Sequence, residues 1–414
     1  MATAYKLESN EVDPLDVSRA ELYTEHKWQE PFRRLRAEAP VYWCANSEFG
    51  PYWSVSSYKA IQHVEALPDI YSSSWEHGGI TIADRDQFED PKIEMPMFIA
   101  MDRPKHTEQR RVVSPAFTPS EMVRMSDEIR QRTAETLDAL PWGQPFDWVD
   151  RVSIELTTGM LAVLFDFPWA DRRKLTEWSD WAGDIEIVKD PAKRDQRLEK
   201  LFEMGGYFKK LWDERVDKAP TPDLISMMIH SEAMKDMSMG EFMGNLVLLI
   251  VGGNDTTRNT MSGLAYSLNK FPDQRAMLEA DPSLIPNAVS EIIRWQTPLA
   301  HMRRTALSDT ELEGHKIKAG QKIIMWYISA NRDESIFPEA DKLDIKRDNA
   351  RRHLSFGYGI HRCVGARLAE LQITILLEEM GKRRMRVNVL EEPVRVAQSF
   401  VNGYRKMMVQ LEKY

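Results

Sequence analysis

From Pro104 onward, apolar residues recur every three to four positions, which predicts a mostly helical chain. Helices are expected over 105–113, 119–139, 151–165, 171–187, 195–218, 224–230, 238–270, 274–281, 285–296 and 366–384. Before them lies a mixed stretch. Helices over 30–39 and 57–66 flank two strands, 41–45 and 52–55, joined by a turn at Phe49-Gly50-Pro51. Residues 78–96 follow neither period and read as a long loop, a feature that in compact domains is usually functional or disordered. Short strands fit 311–317, 322–326, 386–389 and the C-terminus. The expected class is mainly α with minor β. Helices and strands do not alternate regularly, which argues against a doubly wound sheet.

The length of 414 residues suits about two or three domains on size alone. No Gly/Ser-rich or Pro-rich linker interrupts the pattern, so one domain over 1–414 is expected. The 64 acidic residues outnumber the 55 basic ones, which argues against nucleic acid as the main partner. Residues 1–10 are polar without a secretory leader. The longest apolar run, 246–251, is far short of the roughly 20 residues of a membrane span. A cytoplasmic location without a span is expected. Two cysteines in so long a chain make no disulfide framework. Cys44, in Val41-Tyr42-Trp43-Cys44, reads as a small buried core residue.

Cys363 differs because of its neighbours, Phe356-Gly357-Tyr358-Gly359-Ile360-His361-Arg362-Cys363-Val364-Gly365. The run ends just before an amphipathic helix, where free N–H groups and the dipole favour a thiolate. Gly357, Gly359 and Gly365 allow sharp turns and close approach to a flat group. Phe356 can cover the sulfur, and His361 can donate to a carboxylate.

A second irregularity is Gly252-Gly253 inside the helix over 238–270, followed by Asp255-Thr256. Each interior glycine costs about 1 kcal/mol relative to alanine. Leu248, Gly252 and Thr256 are four apart and share a face, so Gly252 makes room beside a hydroxyl and an acid. His106 and Arg110 also share a helical face, which taken alone is a solvated surface. Glu291 and Arg294, three apart, would be worth about 0.3–0.5 kcal/mol if exposed.

Together these motifs resemble the cytochrome P450 family of haem-thiolate monooxygenases, over nearly the whole chain. The resemblance implies heme b (iron protoporphyrin IX), with Cys363 as the proximal iron ligand. It implies that Gly252 leaves space over the iron while Asp255 and Thr256 deliver protons. His106, Arg110, Arg304 and His361 match propionate-binding positions, with Arg303 an adjacent rival for Arg304. Glu291, Arg294 and Arg347 match a structural trio that braces the cysteine loop.

Met97-Phe98-Ile99-Ala100-Met101-Asp102, Val251-Gly252-Gly253-Asn254-Asp255-Thr256-Thr257-Arg258-Asn259 and His353-Leu354-Ser355-Phe356-Gly357 resemble the bacterial terminal (omega) hydroxylases of medium-chain alkanes and fatty acids. Ala366 and Thr260 depart from that subgroup's expected Asn and Ser. The pocket candidates are Leu248, Val251, Gly252, Leu299, Ala300, Met302, Phe400 and Val401. Alternative readings are a hydroxylase of bulkier terpenoid or steroid-like substrates, a peroxide-driven enzyme, and a non-catalytic haem-thiolate sensor. Asp255 and Thr256 weigh against peroxide, and the absence of a recognisable output domain against a sensor. A ferredoxin and its reductase are the implied electron donors. Arg110, Arg111, Arg351, Arg352, Arg362 and Arg367 are expected to form a basic docking patch.

Overall fold

A computed structural model describes residues 13–84, 94–186 and 190–414. The long helix Met239–Lys270 is its axis. Ser238 starts it by accepting the Glu241 N–H at 3.2 Å, which satisfies one of the free donors of the first turn. Small and apolar residues dominate beyond Gly253, and most of that half is buried on every side. Helices Glu155–Phe165, Arg173–Gly183 and Ile285–Gln296 pack around it. Helix Ala366–Lys382 packs against both Pro119–Asp138 and Ile285–Gln296. The architecture is mainly α with minor β.

The largest sheet has five strands in the order 41–44, 52–55, 322–325, 302–306, 71–72. Its only parallel pairing among the described residues sets Trp53 opposite Ile323. A three-stranded sheet joins Phe146–Asp147, Met408–Lys413 and Met385–Val389. Cys44 is fully buried in the edge strand Val41–Cys44, as a core residue.

Most predicted elements appear within a few residues of their expected ends, and the differences have local causes. The helix expected over 171–187 stops at Gly183, and Ile185 N–H instead donates to Gln398 Oε1 at 3.3 Å. Residues 187–189 lie outside the described part. The helix expected from 195 starts at Pro191, capped by Asp190, and ends at Asp213. The stretch 311–317 is a hairpin, Thr310–Leu312 and His315–Ile317, turned at Glu313 and Gly314 with φ of 47° and 81°. Strand Met302–Ala306 was not expected, because Arg303 and Arg304 break the alternation. Of the loop 78–96, residues 85–93 lie outside the described part. Among the described residues, no helix is long and apolar enough to cross a membrane.

Candidate active site

The cysteine loop is closed on itself by a hydrogen bond from Cys363 N–H to the Phe356 carbonyl, 2.8 Å. Gly357 and Gly359 both take φ of 67°, a region other residues rarely adopt. At position 359 there is also no space: a Cβ would lie 2.5 Å from the Glu65 carbonyl. The loop is thereby pressed onto helix Tyr58–Ala66. Gly365 caps helix Ala366–Lys382, so Cys363 stands at its N-terminus.

Cys363 faces a cavity of about 400 Å³, and its accessible surface opens into that cavity. Burial raises the thiol pKa, and the Gly365 N–H, Arg110 and Arg362 oppose the rise. Phe356 and Gly365 line the cavity beside the sulfur.

Donors converge at one edge. Arg304 lines the cavity, whereas Arg303 is not among the lining residues and pairs with Asp84, which is. His361 also lines the cavity; its Nε2 lies 3.0 Å from Ser73 Oγ, and its Nδ1 has no partner. His106 stands behind it, with ring centroids 4.2 Å apart and neither ring nitrogen bonded. Arg110 lines the cavity and donates to the Arg362 carbonyl. Burial, followed by Arg110, pushes the His106 pKa down to about 4. Burial and then Arg304 drive His361 far lower still. Buried ring nitrogens without partners are costly, and cations crowded together repel. A carboxylate seated among these groups relieves both.

The long helix forms the opposing wall. Leu248, Gly252 and Thr256 all line the cavity, as their spacing predicts. The two glycines have separate tasks. A Cβ on Gly252 would meet nothing within 4 Å, whereas one on Gly253 would lie 2.7 Å from Leu161 Cδ2. Gly252 thus leaves open space, and Gly253 admits helix Glu155–Phe165. Thr256 Oγ1 donates to the Gly252 carbonyl at 2.9 Å.

Asp255 is buried and points toward helix Arg173–Gly183. It accepts from Ser179 Oγ at 2.8 Å and from Arg258 Nη2 at 3.0 Å. Arg258 Nη1 in turn meets Asp180, whose side chain is 42% exposed, 2.8 Å away. A polar chain therefore runs from the cavity wall to solvent. Burial raises the Asp255 pKa, and Arg258 is the largest opposing influence. Ser179, Asp180 and Arg258 were not foreseen; the three-residue spacing of Asp255 and Arg258 was the only available signal.

Val251, Leu299, Met302, Phe400 and Val401 complete the apolar wall. Ala300 does not line it. It is fully buried on the other side of its segment, packed with Trp326 and Ile328, because successive residues there point in opposite directions. Met95, Met97, Leu161, Leu164 and Val247 line the cavity without having been foreseen.

Behind the loop, Glu291 accepts from Arg294 Nε and Nη2, each at 2.7 Å, and from Arg347 Nε at 3.1 Å. The Glu291 and Arg294 side chains are fully buried, so the exposed-pair value does not apply. Both arginines also donate to carbonyls of the segment before the cysteine loop.

Residues 194–383 match the family model described as Cytochrome P450. The chain is also 34% identical over 405 residues to linalool 8-monooxygenase of Pseudomonas putida, covering 96% of this chain and 98% of that protein. The chain belongs to the cytochrome P450 family. A further P450 relative, a methyl-branched lipid omega-hydroxylase of Mycobacterium bovis, is 32% identical over 91% of this chain and 90% of its own length. The solved P450 structure of CYP153D17 from Sphingomonas sp. PAMC 26605 is similar at 69% identity and a TM-score of 0.93, covering 97% of this chain and 100% of that one.

P450 monooxygenases carry haem bound through a cysteine thiolate, and the residues here suit that group. A thiol at a helix N-terminus faces the cavity, an open space stands over Gly252, and unpartnered ring nitrogens wait at the edge where carboxylates belong. Bound there, haem supplies the iron chemistry by which O₂ is activated, with thiolate ligation favouring O–O cleavage.

Proposed function

We propose that this P450 hydroxylates the terminal carbon of a medium-chain alkane or fatty acid. The observation that carries the reading is the cavity itself: about 400 Å³, walled in part by Leu248, Val251, Leu299, Met302, Phe400 and Val401, with open space beside Gly252. A terminal methyl is intrinsically harder to attack than an internal CH₂, so the choice of carbon is one of orientation. Apolar walls that admit a chain end and hold it still impose that orientation. The subgroup motifs and the omega-hydroxylase relative support the same substrate class.

Within this reading, the Cys363 thiolate is the iron ligand, and Arg110, Arg304, His361 and His106 hold the propionates. Thr256 and Asp255 carry protons inward through hydrogen bonds and water, with Arg258 and Asp180 linking Asp255 to solvent. Electrons come from a ferredoxin and its reductase. Arg111, Arg351, Arg352, Arg362 and Arg367, all exposed, form the docking patch, while Arg110 is only partly exposed. The enzyme works in the cytoplasm as one unit over 1–414.

Mass-spectrometric product analysis with octane and dodecanoic acid tests the reading. Predominantly terminal alcohols are expected. Mostly subterminal alcohols would overturn terminal attack, and turnover only of bulky ring compounds would replace the reading with the terpenoid or steroid-like alternative; either leaves the haem-thiolate assignment intact.

A further inference from the structure

Helix Tyr58–Ala66 carries a carboxyl that the reading above leaves without a task. The Glu65 side chain is 1% exposed, yet it belongs to the cavity lining together with Arg304, Gly357 and His361. Its Oε1 accepts from the Tyr327 hydroxyl at 2.6 Å and lies 3.5 Å from Arg304 Nη2. The Tyr358 backbone N–H also reaches the carboxyl. Its Oε2 has no partner at all.

Arg304 is thus a single buried guanidinium facing two claims, one from Glu65 and one from the carboxylate it is read as binding. An ionised Glu65 would cancel its charge and repel the incoming anion. Like charges sharing a buried site leave one of them holding a proton. Glu65 is the one with weak support, since its contact with Arg304 is long and one oxygen is bare. The charged and titratable groups that face it are Arg304 from strand Met302–Ala306 and Tyr327 from the short helix Tyr327–Ala330; the cysteine loop contributes only the Tyr358 backbone. Even without a bound carboxylate, burial raises its pKa to about 7 against the pull of Arg304, Tyr327 and Tyr358.

Resting on the reading of Arg304 as a propionate ligand, we propose that Glu65 is a positioning residue that takes up a proton from solvent when haem binds. As a neutral acid it holds Arg304 in place and leaves the guanidinium charge for the cofactor. The propionate draws on Arg304, so Glu65 loses the influence that favoured its ionised form and keeps its proton to higher pH.

The sign of the pH dependence follows. Below about pH 7 Glu65 is protonated with or without haem, and affinity is insensitive to it. Above that, haem binding must be accompanied by proton uptake, so affinity falls by up to about tenfold per pH unit.

The test is the equilibrium partition of haem between the holoprotein and added apomyoglobin, read by absorption across neutral and alkaline pH. The acceptor's own pH dependence is common to every variant. Wild type should lose affinity above the inflection, whereas Glu65→Gln should lack that component and hold haem more tightly than wild type at the alkaline end. Tyr327→Phe removes a hydrogen bond that favours the ionised form, so its fall should begin at higher pH. Parallel profiles for wild type and Glu65→Gln, or an equal loss of affinity at every pH, would overturn the proposal. A wild-type protein that holds no haem at any pH would instead overturn the reading of the site beneath it.

Discussion

Gly183 and Asp255 are fitted to each other: a Cβ on Gly183 would lie 2.7 Å from Asp255 Oδ2. Gly183 is the last residue of helix Arg173–Gly183, and its missing side chain leaves room for Oδ2 while Ser179 and Arg258 hold Oδ1. Gly183→Ala should displace Asp255 while leaving the fold intact. Positioned acid–base groups contribute about 10²–10⁴-fold, so displacement without removal should lower coupled turnover by roughly tenfold. Product formed per electron consumed is the measurement.

Arg258→Ala addresses the charge on that carboxylate. Burial raises the Asp255 pKa and Arg258 holds it down. Removing the guanidinium keeps the proton on Asp255 to higher pH. The pH profile of coupled turnover should therefore move in the alkaline direction. An unchanged profile would show that Asp255 titration does not govern coupling.

Thr256→Ala removes the hydroxyl that Gly252 anchors at 2.9 Å. Haem content and substrate binding should stay near wild type, while reducing equivalents escape as peroxide. Peroxide and product measured in the same reaction decide the matter. Wild-type coupling in the variant would exclude Thr256 from proton delivery.

Glu291→Gln tests the brace behind the loop. The substitution leaves two arginines, both largely buried, facing a neutral amide. Breaking a buried pair by removing one partner costs about 3–5 kcal/mol. A markedly lower melting temperature and poor haem content are expected, with the loss in stability preceding any effect on chemistry.

Electron delivery should depend on salt. The arginines at 111, 351, 352, 362 and 367 are all exposed, in a chain whose net charge is −9. The proposed attraction of an acidic ferredoxin to these arginines would weaken as ionic strength rises. Arg111→Glu or Arg352→Glu should slow reduction by about tenfold at low salt. Rates indifferent to both changes would remove the patch from docking.

The parts of the site legible in the sequence are those whose chemistry requires fixed local spacing. The cysteine loop and the Leu248–Gly252–Thr256 face each lie within one short segment, so period and residue type suffice. What escaped depends on distant segments. Glu65 and Arg304 are 239 positions apart, and Ser179 and Asp255 are 76 apart. The different surroundings of Arg303 and Arg304 needed strand Met302–Ala306, and Ala300 was misplaced because its neighbours alternate about it. The helix expected to reach 187 continued an apolar spacing past Gly183, but the backbone there bonds to Gln398 instead.

Arg294 donates to the carbonyls of Asn331, Ala340 and Lys342, and Arg347 to that of Pro338. These carbonyls belong to a stretch with almost no regular structure of its own, running from 331 to the cysteine loop. Its shape is dictated largely by two guanidinium groups gathered on one carboxylate. The station of the thiol thus depends, through that stretch, on helix Ile285–Gln296, so a change at Glu291 reaches the cysteine loop from behind without touching it.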